Sequence, residues 1–151
     1  MKKFKNYLFL GFGLIGGSIA RALRADDKDV NITAWVRHRE NIEPALKEGT
    51  INVIADSLIS HLDNADVIFL CAPTGSNIEN LKTIAPLANE GTLITDVGSV
   101  KGDIQAAADV LPTVSLLTSL KQMMHTMMKT VLTAWRSINL RKNIQKPSIT
   151  I

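Results

Sequence analysis

Gly11-Phe12-Gly13-Leu14-Ile15-Gly16 stands between an apolar run, residues 6–10, and a stretch, residues 14–25, in which Ile15, Ile19, Ala22 and Leu23 share one helical face. A glycine-spaced hexapeptide in that setting predicts the first strand-to-helix turn of a dinucleotide-binding βαβ unit. Gly11 permits the tight turn, Gly13 lets the backbone approach a pyrophosphate, and Gly16 lets helix and strand pack closely. Phe12, Leu14 and Ile15 complete the candidate cradle, since the N–H groups and positive dipole end of a helix start suit phosphate. The plainer alternative is a glycine-rich turn kept for packing.

Working outward, apolar bursts alternate with helical patterns over the first 110 or so residues, which predicts repeated βαβ units around a parallel sheet. Strands are expected at 6–10, 31–36, 51–55, 66–71 and 92–97. Helices are expected at 14–25, 41–48, 77–88 and 101–111, with a brief one capped by Asp56 and running through Leu62. The fold class is therefore α/β, a Rossmann-type doubly wound parallel sheet. It occupies residues 1–113 and is followed by an atypical basic helical tail, 114–151.

Composition narrows the function classes. A chain of 151 residues, 46% hydrophobic, buries one core and is too short for a cofactor domain plus a full substrate domain. One cysteine, Cys71, excludes an internal disulfide framework and any CxxC site, which fits a reducing cytoplasm, and no metal signature is present. Lys2, Lys3 and Lys5 before an apolar run imitate a secretory signal, but the spaced glycines and the amphipathic pattern behind them give that run another purpose. The run is also shorter than the ~20 residues that a bilayer core demands. No nucleic-acid or membrane partner is expected.

Three loops after strands carry the remaining chemistry. NAD-binding proteins commonly place a carboxylate after the second strand to bind the ribose hydroxyls, whereas this chain reads Trp35-Val36-Arg37-His38-Arg39. Arg37 and Arg39, flanking His38, favour the extra phosphate of NADP, with NAD remaining possible. Solvated surface charges are the alternative there. Cys71-Ala72-Pro73-Thr74 follows the fourth strand, where Thr74 is a candidate cofactor ligand and Cys71 reads as a buried small residue. Asp96, Gly98 and Ser99 follow the fifth strand and are expected near the nicotinamide end, although Ser99 would also serve as a helix cap.

Together, GFGLIGGSIARAL at 11–23, CAPTG at 71–75 and DVGSVKGDI at 96–104 resemble the cofactor domain of the prephenate dehydrogenase family, which includes arogenate-using enzymes. The resemblance runs from about Lys5 to Pro112. It implies an oxidoreductase of tyrosine biosynthesis that oxidatively decarboxylates prephenate or arogenate with NAD(P), a histidine handling the substrate hydroxyl. It also implies that Ser99 hydrogen-bonds that hydroxyl and helps place the histidine, while the protein's share is positioning.

Beyond Ser115 the sequence departs from that pattern. The family continues into a Gly-Gly-His-Pro-Met-Ala-Gly segment with the catalytic histidine, then a helical substrate and dimerisation domain, whereas this chain reads LLTSLK at 116–121. No glycine follows Gly102 and no acid follows Asp109, and four of the five methionines fall in 123–128. Residues 1–109 balance eleven basic against fourteen acidic side chains, while 110–151 hold six basic and no acidic ones. This break predicts a truncated or frameshifted form that binds cofactor but is impaired in catalysis, its oligomeric state uncertain without the dimer domain. His125, among methionines on an expected helix, suits packing better than base catalysis. The rival reading is a non-catalytic NAD(P)-binding or interaction module whose basic amphipathic tail docks a partner.

Overall fold

A computed structural model of the chain describes residues 4–98, 102–109, 111 and 115–116. Its strands are β1 (Asn6–Leu10), β2 (Asn31–Trp35), β3 (Val53–Ile54), β4 (Val67–Leu70), β5 (Leu93–Asp96) and β6 (Ser115–Leu116). They form one sheet in the order β3-β2-β1-β4-β5-β6, every pair parallel. The order reverses between β1 and β4, which is where an open α/β sheet takes its ligand, outside the carboxyl ends of the strands. The helices are α1 (Leu14–Asp26), α2 (Glu43–Lys47), α3 (Thr74–Ile84) and α4 (Gly102–Asp109).

Strand periodicity divides the core into two layers. Leu8, Leu10, Ile68, Leu70 and Ile94 face Leu81 and Ile84 of α3 and Ile104 and Ala107 of α4. Phe9, Phe69, Ile32 and Ala34 share the opposite layer with Ile19 and Ala20 of α1 and Ala45 of α2. All four residues of β4 are buried, so its unbroken apolar run answers to cover on both faces. Each large side chain so buried contributes about 1.5–3 kcal/mol, which makes this central strand the firmest support of the loops at its end. Phe9 stacks on Phe69 at 4.7 Å between ring centroids and takes Phe12 edge-on at 5.7 Å.

The five expected strands are present and a sixth, β6, was not expected, with one helix misplaced and another shifted. Residues 56–62 do not form the expected brief helix; a 3-10 turn, Leu62–Asn64, stands at the end of that stretch. Side-chain bonds compete with it: Ser57 and Ser60 hydroxyls meet at 2.7 Å, and Asp56 pairs with the distant Arg39 instead of capping a helix. Helix α3 starts at Thr74 rather than residue 77, because Pro73 immediately before it has a fixed φ of −55° and its carbonyl takes the Asn77 N–H at 2.9 Å. Of the stretch 114–151, expected as a helical tail, only Ser115 and Leu116 are described, and they form β6, a strand the sequence reading did not expect, beside β5; the remainder lies outside the described residues.

Candidate functional site

The glycine turn sits at the carboxyl end of β1, beside the switch point. Gly11 has φ +91°, and its N–H donates to the Trp35 carbonyl at 2.9 Å. A Cβ there would stand 2.6 Å from the Ala72 nitrogen and 2.7 Å from the Cys71 carbonyl carbon, so the turn lies directly against the β4–α3 loop. At Gly16 a Cβ would lie 3.3 Å from that of Cys71, which is the close helix-to-strand approach expected of the third glycine. Gly13 differs: nothing lies within 4 Å of where its Cβ would point.

Gly13 is the N-cap of α1, and no side chain caps that helix or places an acid in its first turn. The first intrahelical bond runs from the Gly17 N–H to the Gly13 carbonyl at 2.9 Å, and the N–H groups before it have no partner within the helix. Leu14 and Ile15 beside them are 88% and 54% exposed. Phe12 points the other way, its ring packed into the α1 layer, so it anchors the turn. An open cradle, uncapped donors and bare apolar side chains fit a diphosphate flanked by nucleoside groups.

The β4–α3 and β5–α4 loops meet through a residue the sequence reading did not single out. Asn77 is fully buried; its amide oxygen accepts the Ala72 N–H at 3.0 Å, and its amide nitrogen donates to the Leu70 carbonyl at 3.1 Å and to Asp96 Oδ1 at 2.8 Å. Asp96 Oδ2 accepts the Gly98 N–H at 3.1 Å. Asp96, 5% exposed, therefore holds the loop frame. A signal was present: Asn77, Leu81 and Ile84 occupy the inward face of α3, where an asparagine is out of place unless it has partners. Ala72 and Thr74 are half-buried and Pro73 is exposed around this frame.

Burial pushes the Cys71 thiol up to about 12, and the Asp96 carboxylate adds to the shift. The thiolate is the nucleophile, so Cys71 is inert near neutrality, as its sequence setting suggested. At pH 8 a pKa of about 12 leaves a thiolate fraction on the order of a thousandth of that of an ordinary thiol. Labelling of the native protein by a disulfide reagent is expected to slow by about that factor relative to the unfolded chain. Equal rates would contradict this environment.

Past β2, Val36 packs into the α1 layer while Arg37, His38 and Arg39 are exposed. Arg39 pairs with Asp56, and His38 Nδ1 lies 3.4 Å from Glu40 Oε1. Arg37 makes no ion pair among the described residues. Ser99 and His125 lie outside the described residues. His61, with φ +68°, borders a cavity at the opposite ends of the strands, lined also by Asn6, Asn31, Thr33 and Asn52. Among the described residues no cluster suits a metal ion, and no helix is long and apolar enough to cross a membrane.

Residues 19–120 match the family described as prephenate dehydrogenase, nucleotide-binding domain. Over 109 residues the chain is 38% identical to a prephenate dehydrogenase of Lactococcus lactis subsp. cremoris, covering 71% of this chain and 30% of that enzyme. Over 115 residues it is 37% identical to the prephenate dehydrogenase of Bacillus subtilis, covering 74% of this chain and 31% of that enzyme. A solved prephenate dehydrogenase from A. aeolicus, in complex with hydroxyphenyl propionate and NAD+, superposes with a TM-score of 0.67 at 28% identity, covering 75% of this chain and 41% of that one. The chain thus spans about a third of the length of the two relatives it matches by sequence.

Proposed function

Because the chain belongs to the prephenate dehydrogenase family through its nucleotide-binding domain, we propose that it binds a pyridine dinucleotide across the carboxyl ends of β1 and β4. In this reading it is the cofactor-binding part of an oxidoreductase for prephenate or arogenate in tyrosine biosynthesis. The observation that carries the reading is the open, uncapped turn at Gly13. Its N–H groups hold the diphosphate, and the loops after β4 and β5 receive the nicotinamide end. Ala72, Pro73, Thr74 and Gly98 line that end, and Ser99 takes the substrate hydroxyl as the family resemblance implies.

A dinucleotide held there would supply a hydride acceptor for the oxidative decarboxylation that leaves the substrate ring aromatic. The residues of this chain bind and orient. His38 stands on the ribose side after β2, and His61 borders the cavity at the far ends of the strands, so neither is placed to polarise a substrate hydroxyl. Among the described residues no histidine is thus placed for that role, and with the sequence departing from the family pattern beyond Ser115, turnover of prephenate by the chain alone is expected to be impaired even where cofactor binds.

The cofactor proposed is NADP, on Arg37 and Arg39 after β2 in place of a carboxylate. NAD is the second reading, favoured by the pairing of Arg39 with Asp56 and by the NAD+ held in the A. aeolicus enzyme. Exposed charge-assisted bonds to phosphate are worth about 1.5 kcal/mol each, roughly tenfold in affinity. Replacing both, Arg37→Ala with Arg39→Ala, is expected to weaken NADP binding about 10- to 100-fold and leave NAD within about twofold. Equal losses for both dinucleotides, or no loss, would remove the phosphate-clamp assignment.

A further inference from the structure

We propose that Asn77 is a positioning residue that ties the β4–α3 loop at Ala72 to the end of β5 at Asp96, and so to Gly98, under the nicotinamide half of the dinucleotide. The inference rests on the dinucleotide-binding reading above. Asn77 is the one amide in the described site with no exposure, and all three of its bonds go to the ends of the two strands beyond the switch point. One bond fixes the Ala72 N–H, whose nitrogen also stands where a Gly11 Cβ would fall, so the glycine turn presses against the same frame. Another reaches the Asp96 carboxylate, which holds the Gly98 N–H and hence the start of the loop that leads to Ser99. One side chain thus bonds the ends of two strands, and the glycine turn of a third packs against the result.

The roles of the two partners are complementary in charge. A buried carboxylate is costly without donors, and the neutral Asn77 amide supplies one beside the Gly98 N–H without adding charge. The Cys71 thiol, the titratable group that shifts under the influence of Asp96, stays protonated across the neutral range. Asn77→Asp keeps the shape and sets a second carboxyl against Asp96. Two carboxylates at hydrogen-bond distance share a proton, so at low pH an O–H donor is restored and at high pH the pair repels. The sign follows: the variant's frame holds at acid pH and opens as pH rises.

The test is a pair of titrations on folded protein from pH 5 to pH 8, wild type beside Asn77→Asp. The ligands are whichever of NADP and NAD wild type holds more tightly, and the matching ADP-ribose fragment that lacks nicotinamide. Taking the ratio of variant to wild-type affinity cancels the ligand's own titration. The proposal expects that ratio for the dinucleotide to fall about tenfold or more from pH 5 to pH 8, while the ratio for the fragment moves by less than about threefold. A purely structural Asn77 would lower the melting temperature of the variant and leave both ratios flat, which overturns the proposal. If Asn77→Asp does not fold, Asp96→Asn is titrated instead, with a dinucleotide-selective loss expected and equal losses overturning it. Wild type that binds neither dinucleotide overturns the functional reading itself, and the proposal with it.

Discussion

Gly11→Ala is expected to destabilise the domain by about 2–5 kcal/mol, the largest loss of any glycine-to-alanine change among the described residues. Two independent causes add. A φ of +91° disfavours any L side chain by about 1–2 kcal/mol, and the new Cβ would meet backbone 2.6 Å away at Ala72. That backbone has little room to retreat, because the Cys71 N–H is bonded to the Leu10 carbonyl at 2.8 Å and Ala72 to Asn77 at 3.0 Å. Gly49 supplies the control. It has φ +74° with nothing within 4 Å, so Gly49→Ala carries the backbone cost alone. Thermal melts should show Gly11→Ala falling by about 10 °C or more and Gly49→Ala by less than half as much. Matching shifts would mean that the turn does not press on the β4–α3 loop.

Gly13→Val is expected to do the reverse, leaving the fold intact and removing dinucleotide binding. Its φ of −87° suits any residue, and among the described residues nothing lies within 4 Å of a Cβ added there. A valine side chain there costs the fold no more than about 1 kcal/mol, the difference between a good and a poor N-cap. The same side chain would occupy the space through which a diphosphate reaches the first N–H groups of α1. Losing two charge-assisted bonds of about 1.5–3 kcal/mol each weakens binding by at least about 100-fold. A turn kept for packing alone predicts unchanged affinity, so a melt and a titration on one variant separate the two explanations.

The fold was readable because its signals were local. Glycine spacing set the first turn, the unbroken apolar run at Val67–Leu70 marked a strand covered on both faces, and Pro73 fixed a helix start within three residues of its expected place. Residues 56–62 were misread because two serines and an aspartate offer the backbone side-chain partners that compete with helix, and which partner wins depends on Arg39, seventeen positions away. The site shows the same division. Backbone roles at Gly11, Gly13 and Gly16 follow from what glycine permits. The role of Asn77 does not, since its partner Asp96 lies nineteen residues on and becomes a neighbour only when β5 adds beside β4.

On the proposed reading, Phe12 and Asp96 serve the site through the backbone that they hold. Phe12 lies inside the glycine hexapeptide but turns into the aromatic layer with Phe9, fixing the direction in which Gly13 faces. Asp96 opens the DVGSVKGDI segment, and its carboxylate bonds Asn77 and Gly98. Both act through the backbone they hold, so their replacement should move affinity through loop position more than through lost contacts.

Calorimetric titration of the folded wild-type chain with NADP, and separately with NAD, addresses the dinucleotide assignment most directly. The account predicts saturable heat at one site per chain, with the tighter curve for NADP. Absence of heat from both ligands on protein that melts cooperatively would contradict it, and would leave the turn at Gly11–Gly13 as packing alone.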